Sequence, residues 1–325
     1  MLGRILKKKQ FTGTILKIAI AVLCLYLLIT KISATNVVST LSQIQHTSPL
    51  ALILLFAAIA VLLTINLTLE TYKWHLFVAP FGVSYLSAFK QVLGGIAGGI
   101  ASPNRIGDPI IRSFLLPKKF RVRGLLPATF CSFSQLLATA IFGSIALINM
   151  SWNSLPSMPK LFITQLILVF LVVVLIWVAM RFFENRIGRI RFSKALLSVA
   201  ISLLRYFVFC TELWLIFLLF SREVQFEPMF FAIALTFLAN SIIPSFSFTE
   251  LGVRAAGASV FFPMFGIDAS IAAMATVLLW IVNVGIPSVP GILLLSAQGI
   301  SLSDVLLFKK EAVEKVMPKG EEADL

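Results

Sequence analysis

Charge is scarce in this chain: Asp, Glu, Lys and Arg make up 13% of its 325 residues, against about 25% in ordinary soluble domains. With 59% hydrophobic residues there is too little polar surface to clothe a water-soluble particle of this size, which excludes a soluble enzyme. Histidine is nearly absent, and His46 and His75 are too isolated for a metal site or a catalytic dyad. Cys24, Cys131 and Cys210 are odd in number, widely spaced and each inside an apolar run. They support neither a disulfide framework nor a zinc motif, and read as small packing hydrophobes. No nucleotide-binding motif, Asp-rich cluster or Ser with a nearby His occurs, so the sequence implies no cofactor and no metal.

What fills the chain instead is long apolar runs. Stretches able to cross about 30 Å of hydrocarbon fit Thr14 to Ile32, Leu50 to Leu69, Leu125 to Asn149, Leu161 to Met180, Ala195 to Phe220 and Glu227 to Ile243. A last run, Ala269 to Ala297, carries Pro287 and Pro290 and is expected to break into a full span and a shorter returning piece. The expectation is an all-α, polytopic membrane protein with about seven or eight spans. Residues 1–13 form a basic N-terminus, 14–300 the membrane domain, and 301–325 a mixed-charge cytoplasmic tail. The first run is longer than a signal-peptide core and lacks a good cleavage site, so it reads as a retained anchor.

The 27 basic residues outnumber the 14 acidic ones, for a net charge of +13, but the excess lies in connectors, not on a face suited to nucleic acid. Arg4, Lys7, Lys8 and Lys9 precede the first run; Lys118, Lys119, Arg121 and Arg123 fill one connector; Arg181, Arg186, Arg189, Arg191 and Lys194 fill another. The intervening connectors hold a single basic residue, Lys160. This alternation is the positive-inside pattern and puts the N-terminus and both basic loops in the cytoplasm, facing anionic headgroups.

Two regions do not read as simple crossings. Leu86 to Leu116 contains Gly94, Gly95, Gly98, Gly99 and Gly107 together with Pro103, Arg105, Asp108, Pro109 and Arg112. Pro244 to Gly266 contains Glu250, Gly252 and Arg254. Each is expected to be a broken or re-entrant helix pair. They share a plan: an apolar run ending in proline, then acid-x-x-x-Arg, as Asp108 with Arg112 and Glu250 with Arg254. The chain therefore reads as internally duplicated, with pseudo-repeats spanning about 14–150 and 195–297. Asp108 before Pro109 is expected to cap a helix, and Ser247-x-x-Glu250 has capping-box spacing. A half-helix starting inside the bilayer offers free N–H groups to an anion.

An acid and an Arg four apart on a helix lie within reach of one another. Such a pair can be a structural ion pair, or the acid can orient an Arg whose planar fork suits phosphate oxygens. Arg105 has no such acid downstream and is the better candidate for direct ligand contact. Arg205 and Glu212 share one face of a span and read as a structural pair or cavity wall. Asn66 and Asn240 are placed to bond freed backbone groups, and Glu70, Lys73, Trp74 and His75 read as an interfacial belt. The glycines of Gly94 to Gly99 suit close helix packing, with ligand approach the lesser reading.

The run Asn104-Arg105-Ile106-Gly107-Asp108-Pro109-Ile110-Ile111-Arg112 after a glycine-rich segment, with Glu250-Leu251-Gly252-Val253-Arg254 after Pro244, resembles the lysylphosphatidylglycerol synthase transmembrane-region family. This is the flippase-like membrane domain also found in the multiple peptide resistance factor, and the resemblance covers residues of about 10 to 300. It implies a bacterial inner-membrane protein that moves a lipid between leaflets. Gly107-Asp108 departs from the family's usual Gly-Glu, and Arg254-Ala255 from its usual Arg-Glu. The aminoacyl-transfer domain of synthase members is not expected here, so lysyl transfer is not implied.

The resulting expectation is a carrier or binder of an anionic lipid, of phospholipid or polyprenyl-phosphate type. Arg105, Arg112 and Arg254 would meet the headgroup; Asp108, Glu250, Glu212 and Arg205 would orient it or couple protons. The alternatives are an integral-membrane enzyme acting on a lipid phosphate, or an accessory subunit of an envelope-lipid assembly system.

Overall fold

The computed structural model describes residues 48–100, 102, 105–154, 190–220, 224–243, 247–300 and 305, the side chains of 150–154, 247 and 248 excepted. The expected spans Thr14 to Ile32 and Leu161 to Met180, the basic N-terminus and nearly all of the C-terminal tail lie outside these residues, as do Pro103, Asn104 and Pro244. Within the described residues every regular element is helical.

The elements are α1 (Pro49–Val78), α2 (Tyr85–Ile100), α3 (Gly107–Phe114), α4 (Arg121–Ser154), α5 (Phe192–Leu218), α6 (Phe226–Ile242), α7 (Ser247–Phe261), α8 (Ala269–Trp280) and α9 (Ile286–Ala297). Four stretches are long and apolar enough to cross a bilayer: Pro49–Phe81, Lys118–Asn149, Phe192–Leu218 and Ala269–Ala297. At 17 residues, α6 is shorter, and would extend only about 26 Å at 1.5 Å per residue. The N-terminal part of α1 shows Leu50, Ile53, Leu54, Phe56, Val61 and Ile65 on its surface. That is the apolar exterior a helix presents to lipid tails.

The expected break of the last run does not occur. Ala269–Ala297 is one helical stretch interrupted by a π turn at Ile281–Gly285. Proline removes an N–H donor and crowds the preceding turn. Pro287 sits in the first turn of α9, directly after the π turn, where widened geometry relieves that conflict without reversing the chain.

The described chain divides into two compact units. One comprises residues up to Val61 together with Cys210–Ile281, the other Leu62–Phe209 together with Val282 onward. In the first, α7 packs between α6 and α8, and Phe217 stacks on Phe262 with ring centroids 5.3 Å apart. In the second, α2 packs against both α3 and α9, and α3 against α4. Glycine makes the α2–α9 approach possible. A Cβ on Gly291 would meet the Leu93 backbone carbonyl carbon at 2.8 Å and the Ala97 Cβ at 3.0 Å.

The second unit also gathers basic connectors at one end. Phe81, just after α1, stacks on Phe120, just before α4, at 4.6 Å. Lys194, in the first turn of α5, donates to the Leu76 carbonyl at 2.5 Å. The end of α1 therefore meets the beginnings of α4 and α5, which brings Lys118–Arg121 and Arg191–Lys194 to the same end of this unit.

Gly291→Leu should push α9 off α2 and cost about 1–3 kcal/mol, the usual penalty of overpacking. Thermal unfolding of the detergent-solubilised variant should show a lower midpoint than wild type, whereas the exposed Leu293→Ala should leave it nearly unchanged.

Candidate functional site

Halfway along α1 the helix changes character. Asn66, Glu70 and Lys73 recur at the i, i+4, i+7 spacing of one helical face, and all three are buried. Glu70 and Lys73, expected in an interfacial belt, are 5% and 0% exposed, and Trp74 beside them is 0% exposed. An uncompensated charge in such surroundings is very costly, and the second unit is built to supply the compensation.

Glu70 is the hub. Its Oε1 accepts from Arg112 Nη1 at 2.5 Å, its Oε2 accepts from Arg205 Nη1, and Lys73 Nζ lies 2.9 Å from the same Oε2. One carboxylate from α1 thus joins cations from α1, α3 and α5. Other donors of the two guanidiniums are engaged as well. Arg112 Nη2 donates to Asp108 Oδ2 at 3.0 Å and its Nε to Asp108 Oδ1. Arg205 Nε donates to Asn66 Oδ1 at 2.7 Å and its Nη1 to Gln135 Oε1 at 3.2 Å. Asn66 in turn donates to Asn283 Oδ1 at 2.5 Å, so the π turn is tied into the same network.

Asp108 therefore does not cap α3 as expected. The helix begins two residues earlier, with Ile106 at the cap position and no side-chain cap. Ser102 Oγ accepts from the Gly107 N–H at 2.7 Å instead, satisfying one of the free donors at the helix start. A buried Arg is the stronger attraction for a carboxylate than a backbone N–H, so Asp108 turns to Arg112. The close approach of α2 depends on Gly95: a Cβ there would lie 2.7 Å from Arg112 Cγ and 2.8 Å from its Nε.

Arg105 precedes this cluster. It is half-buried, makes no ion pair with a described residue, and holds a left-handed backbone with φ of 57°. Among the described residues it is the one non-glycine in that region, a conformation that costs about 1–3 kcal/mol and tends to mark functional positions. Its Nε lies 3.3 Å from where a Cβ on Gly99 would be, so it rests against the glycine face of α2.

The first unit holds the other acid-x-x-x-Arg. Arg254 donates to Glu250 Oε1 from Nε at 3.0 Å and from Nη2 at 2.7 Å. This pair is more open: the Arg254 side chain is 26% exposed, that of Arg112 4%. Glu212 is fully buried on α5, while Arg205 spends its donors on Glu70, Asn66 and Gln135. Asn240, expected to bond freed backbone groups, instead has both amide atoms buried without a hydrogen-bond partner among the described residues. Among these residues no group of His, Cys, Asp and Glu could hold a metal ion.

A family model for the lysylphosphatidylglycerol synthase TM region matches residues 14–291, most of the chain. The chain belongs to that family. It is a multi-pass membrane protein linked to lipid handling. No curated protein matches it. As a member of the lysylphosphatidylglycerol synthase TM-region family, it places the two acid-x-x-x-Arg motifs differently: one locked into a buried network, the other partly open.

Glu70→Gln should be among the most damaging single changes, because it leaves three buried cations facing one remaining carboxylate. The expected loss is about 3–5 kcal/mol, as for breaking a buried ion pair from one side. Glu250→Gln, beside a partly exposed Arg, should cost well under half of that. Thermal unfolding of the two variants side by side checks the ranking.

Proposed function

We propose that this protein binds an anionic lipid, of phospholipid or polyprenyl-phosphate type, and carries it between leaflets in the manner of a flippase. The observation that supports this reading is Arg105: a half-buried guanidinium without an ion-pair partner among the described residues, held in a strained conformation at the start of a short helix. Beside it lies a buried cluster in which Lys73, Arg112 and Arg205 outnumber Glu70 and Asp108, three charges to two. An excess of positive charge in a low-dielectric setting attracts a phosphate. A guanidinium offers it a bidentate fork that no pH change removes.

In this reading Arg105 makes the headgroup contact in the second unit, and Arg254, still partly open beside Glu250, is a separate candidate within the first. Arg112 and Arg205 supply field rather than contact, since both are largely buried and held by Glu70. Acyl chains stay in the bilayer and only the headgroup crosses. The protein acts as a carrier rather than an enzyme, in a bacterial inner membrane. Its N-terminus and the gathered basic connectors face the cytoplasm, where anionic headgroups attract Lys and Arg.

The test is reconstitution into vesicles with fluorescent phosphatidylglycerol or phosphatidylcholine on one leaflet, following transbilayer movement by quencher accessibility. Wild type should move the anionic lipid faster than the zwitterionic one, and Arg105→Gln should slow the anionic lipid about tenfold, the equivalent of 1.4 kcal/mol. Equal rates for both lipids, or an unchanged rate in both Arg105→Gln and Arg254→Gln, would remove this mechanism. Loss of activity on chelation would favour an enzyme instead.

A further inference from the structure

Lys73 is fully buried in the last third of an apolar helix long enough to cross a bilayer, and a fixed buried charge would be served better by Arg, whose proton does not leave. Around it stand the carboxylates of Glu70 and Asp108, the guanidiniums of Arg112 and Arg205, and the thiol of Cys131. With Lys73 charged the cluster carries three positive and two negative groups, net +1; with Lys73 neutral it balances. Lys73 is the one cation in the cluster able to make that change.

Its surroundings satisfy both forms. As an ammonium it has three protons and three acceptors: Glu70 Oε2 at 2.9 Å, the Cys131 carbonyl at 3.0 Å and Ser202 Oγ at 3.3 Å. As an amine it keeps two protons for the carboxylate and the carbonyl, and its lone pair accepts the Ser202 O–H. A hydroxyl can reverse in this way; the other two partners cannot.

Ser202 opens a chain of such hydroxyls. Its Oγ lies 3.1 Å from Ser134 Oγ, which lies 3.0 Å from Ser198 Oγ. All three serines are fully buried between α4 and α5. Ser202 also reaches the Ser198 carbonyl at 2.9 Å, and Ser134 the Cys131 carbonyl at 2.9 Å. Each of these two hydroxyls therefore has one proton and alternative acceptors, the condition for turning between hops. Ser198 stands six residues into α5, about 9 Å along the axis from the helix start where the basic connectors gather.

We infer that Lys73 is a reversible proton carrier in this cluster, and that Ser202, Ser134 and Ser198 relay protons between it and water at the beginning of α5. In the loading direction a proton lost by a hydronium ion in water at the start of α5 arrives at Ser198, which is itself buried. Ser198 passes its own to Ser134, Ser134 to Ser202, and Ser202 to the Lys73 amine. Each oxygen ends with one proton, and the ammonium gains the one that the hydronium lost. Coupling this step to an anionic headgroup rests on the lipid reading above; the relay itself does not.

The test uses full-length protein in phosphatidylcholine–phosphatidylglycerol vesicles. Proton uptake by the protein and phosphatidylglycerol movement are read on the same preparation. Proton uptake is followed with an indicator dye after stepping the pH on both sides. Wild type should show an uptake phase absent from Lys73→Met. Ser134→Ala should slow that phase at least about tenfold, and Ser134→Thr, which keeps the hydroxyl, should retain its rate. Ser134→Ala is the informative variant should Lys73→Met not fold, since it leaves every ion pair in place. Uptake in Lys73→Met equal to wild type, or an unchanged rate in Ser134→Ala, overturns the relay. Lipid movement with an unchanged uptake rate in Ser134→Ala removes the relay and spares the lipid reading, whereas uptake slowed in Ser134→Ala without any lipid movement does the reverse.

Discussion

One carboxylate, Glu70, holds cations from three helices in a space with little water to share the work. Desolvating that many charges is unfavourable unless nearly every donor and acceptor finds a partner. Much of the second unit's local design follows from this demand. Asn66 and Gln135 take donors that Glu70 cannot, Asp108 takes those of Arg112 facing the other way, and the Cys131 carbonyl and Ser202 complete Lys73. The glycine face of α2 belongs to the same demand. Without a bare backbone at Gly95 the helix could not lie against the Asp108–Arg112 pair.

The same local motif does different work in its two settings. An acid four residues before an Arg closes into an ion pair in both α3 and α7, as helical geometry favours. In α3 a third partner from α1 seals the Arg in, so its charge acts through the field it contributes. In α7 the Arg keeps one acid and part of its surface. Exposure, more than the motif, separates the two arginines, and Arg105 shares with Arg254 a partly open side chain.

The all-α membrane character was legible from the apolar runs, because hydrocarbon thickness sets a length that sequence can be measured against. The breaks near residues 100 and 244 were legible from glycine, proline and charge together. So was each acid–Arg pair, because it is local. The hub was not. Glu70 looked like an interfacial residue because it follows a span-length apolar run, and one-dimensional reading ends the helix there. The available signal was the Asn66, Glu70, Lys73 stripe, a polar face on a helix with too few charges to spend idly. Long-range partners also undid the expected Asp108 cap and drew Arg205 toward α1, as no spacing rule could have told. The π turn was missed for a related reason: Pro287 permits either a reversal or a local widening, and packing of α9 on α2 goes with the second.

The most direct measurement of whether Glu70 organises this region is a charge exchange between α1 and α5. Glu70→Arg alone places a fourth cation in the cluster and should yield little folded protein by size-exclusion and thermal unfolding. Adding Arg205→Glu restores the original balance of three positive and two negative groups and should recover folded protein. Glu70→Arg as stable as wild type, or no recovery in the exchanged pair relative to Glu70→Arg, would contradict the account.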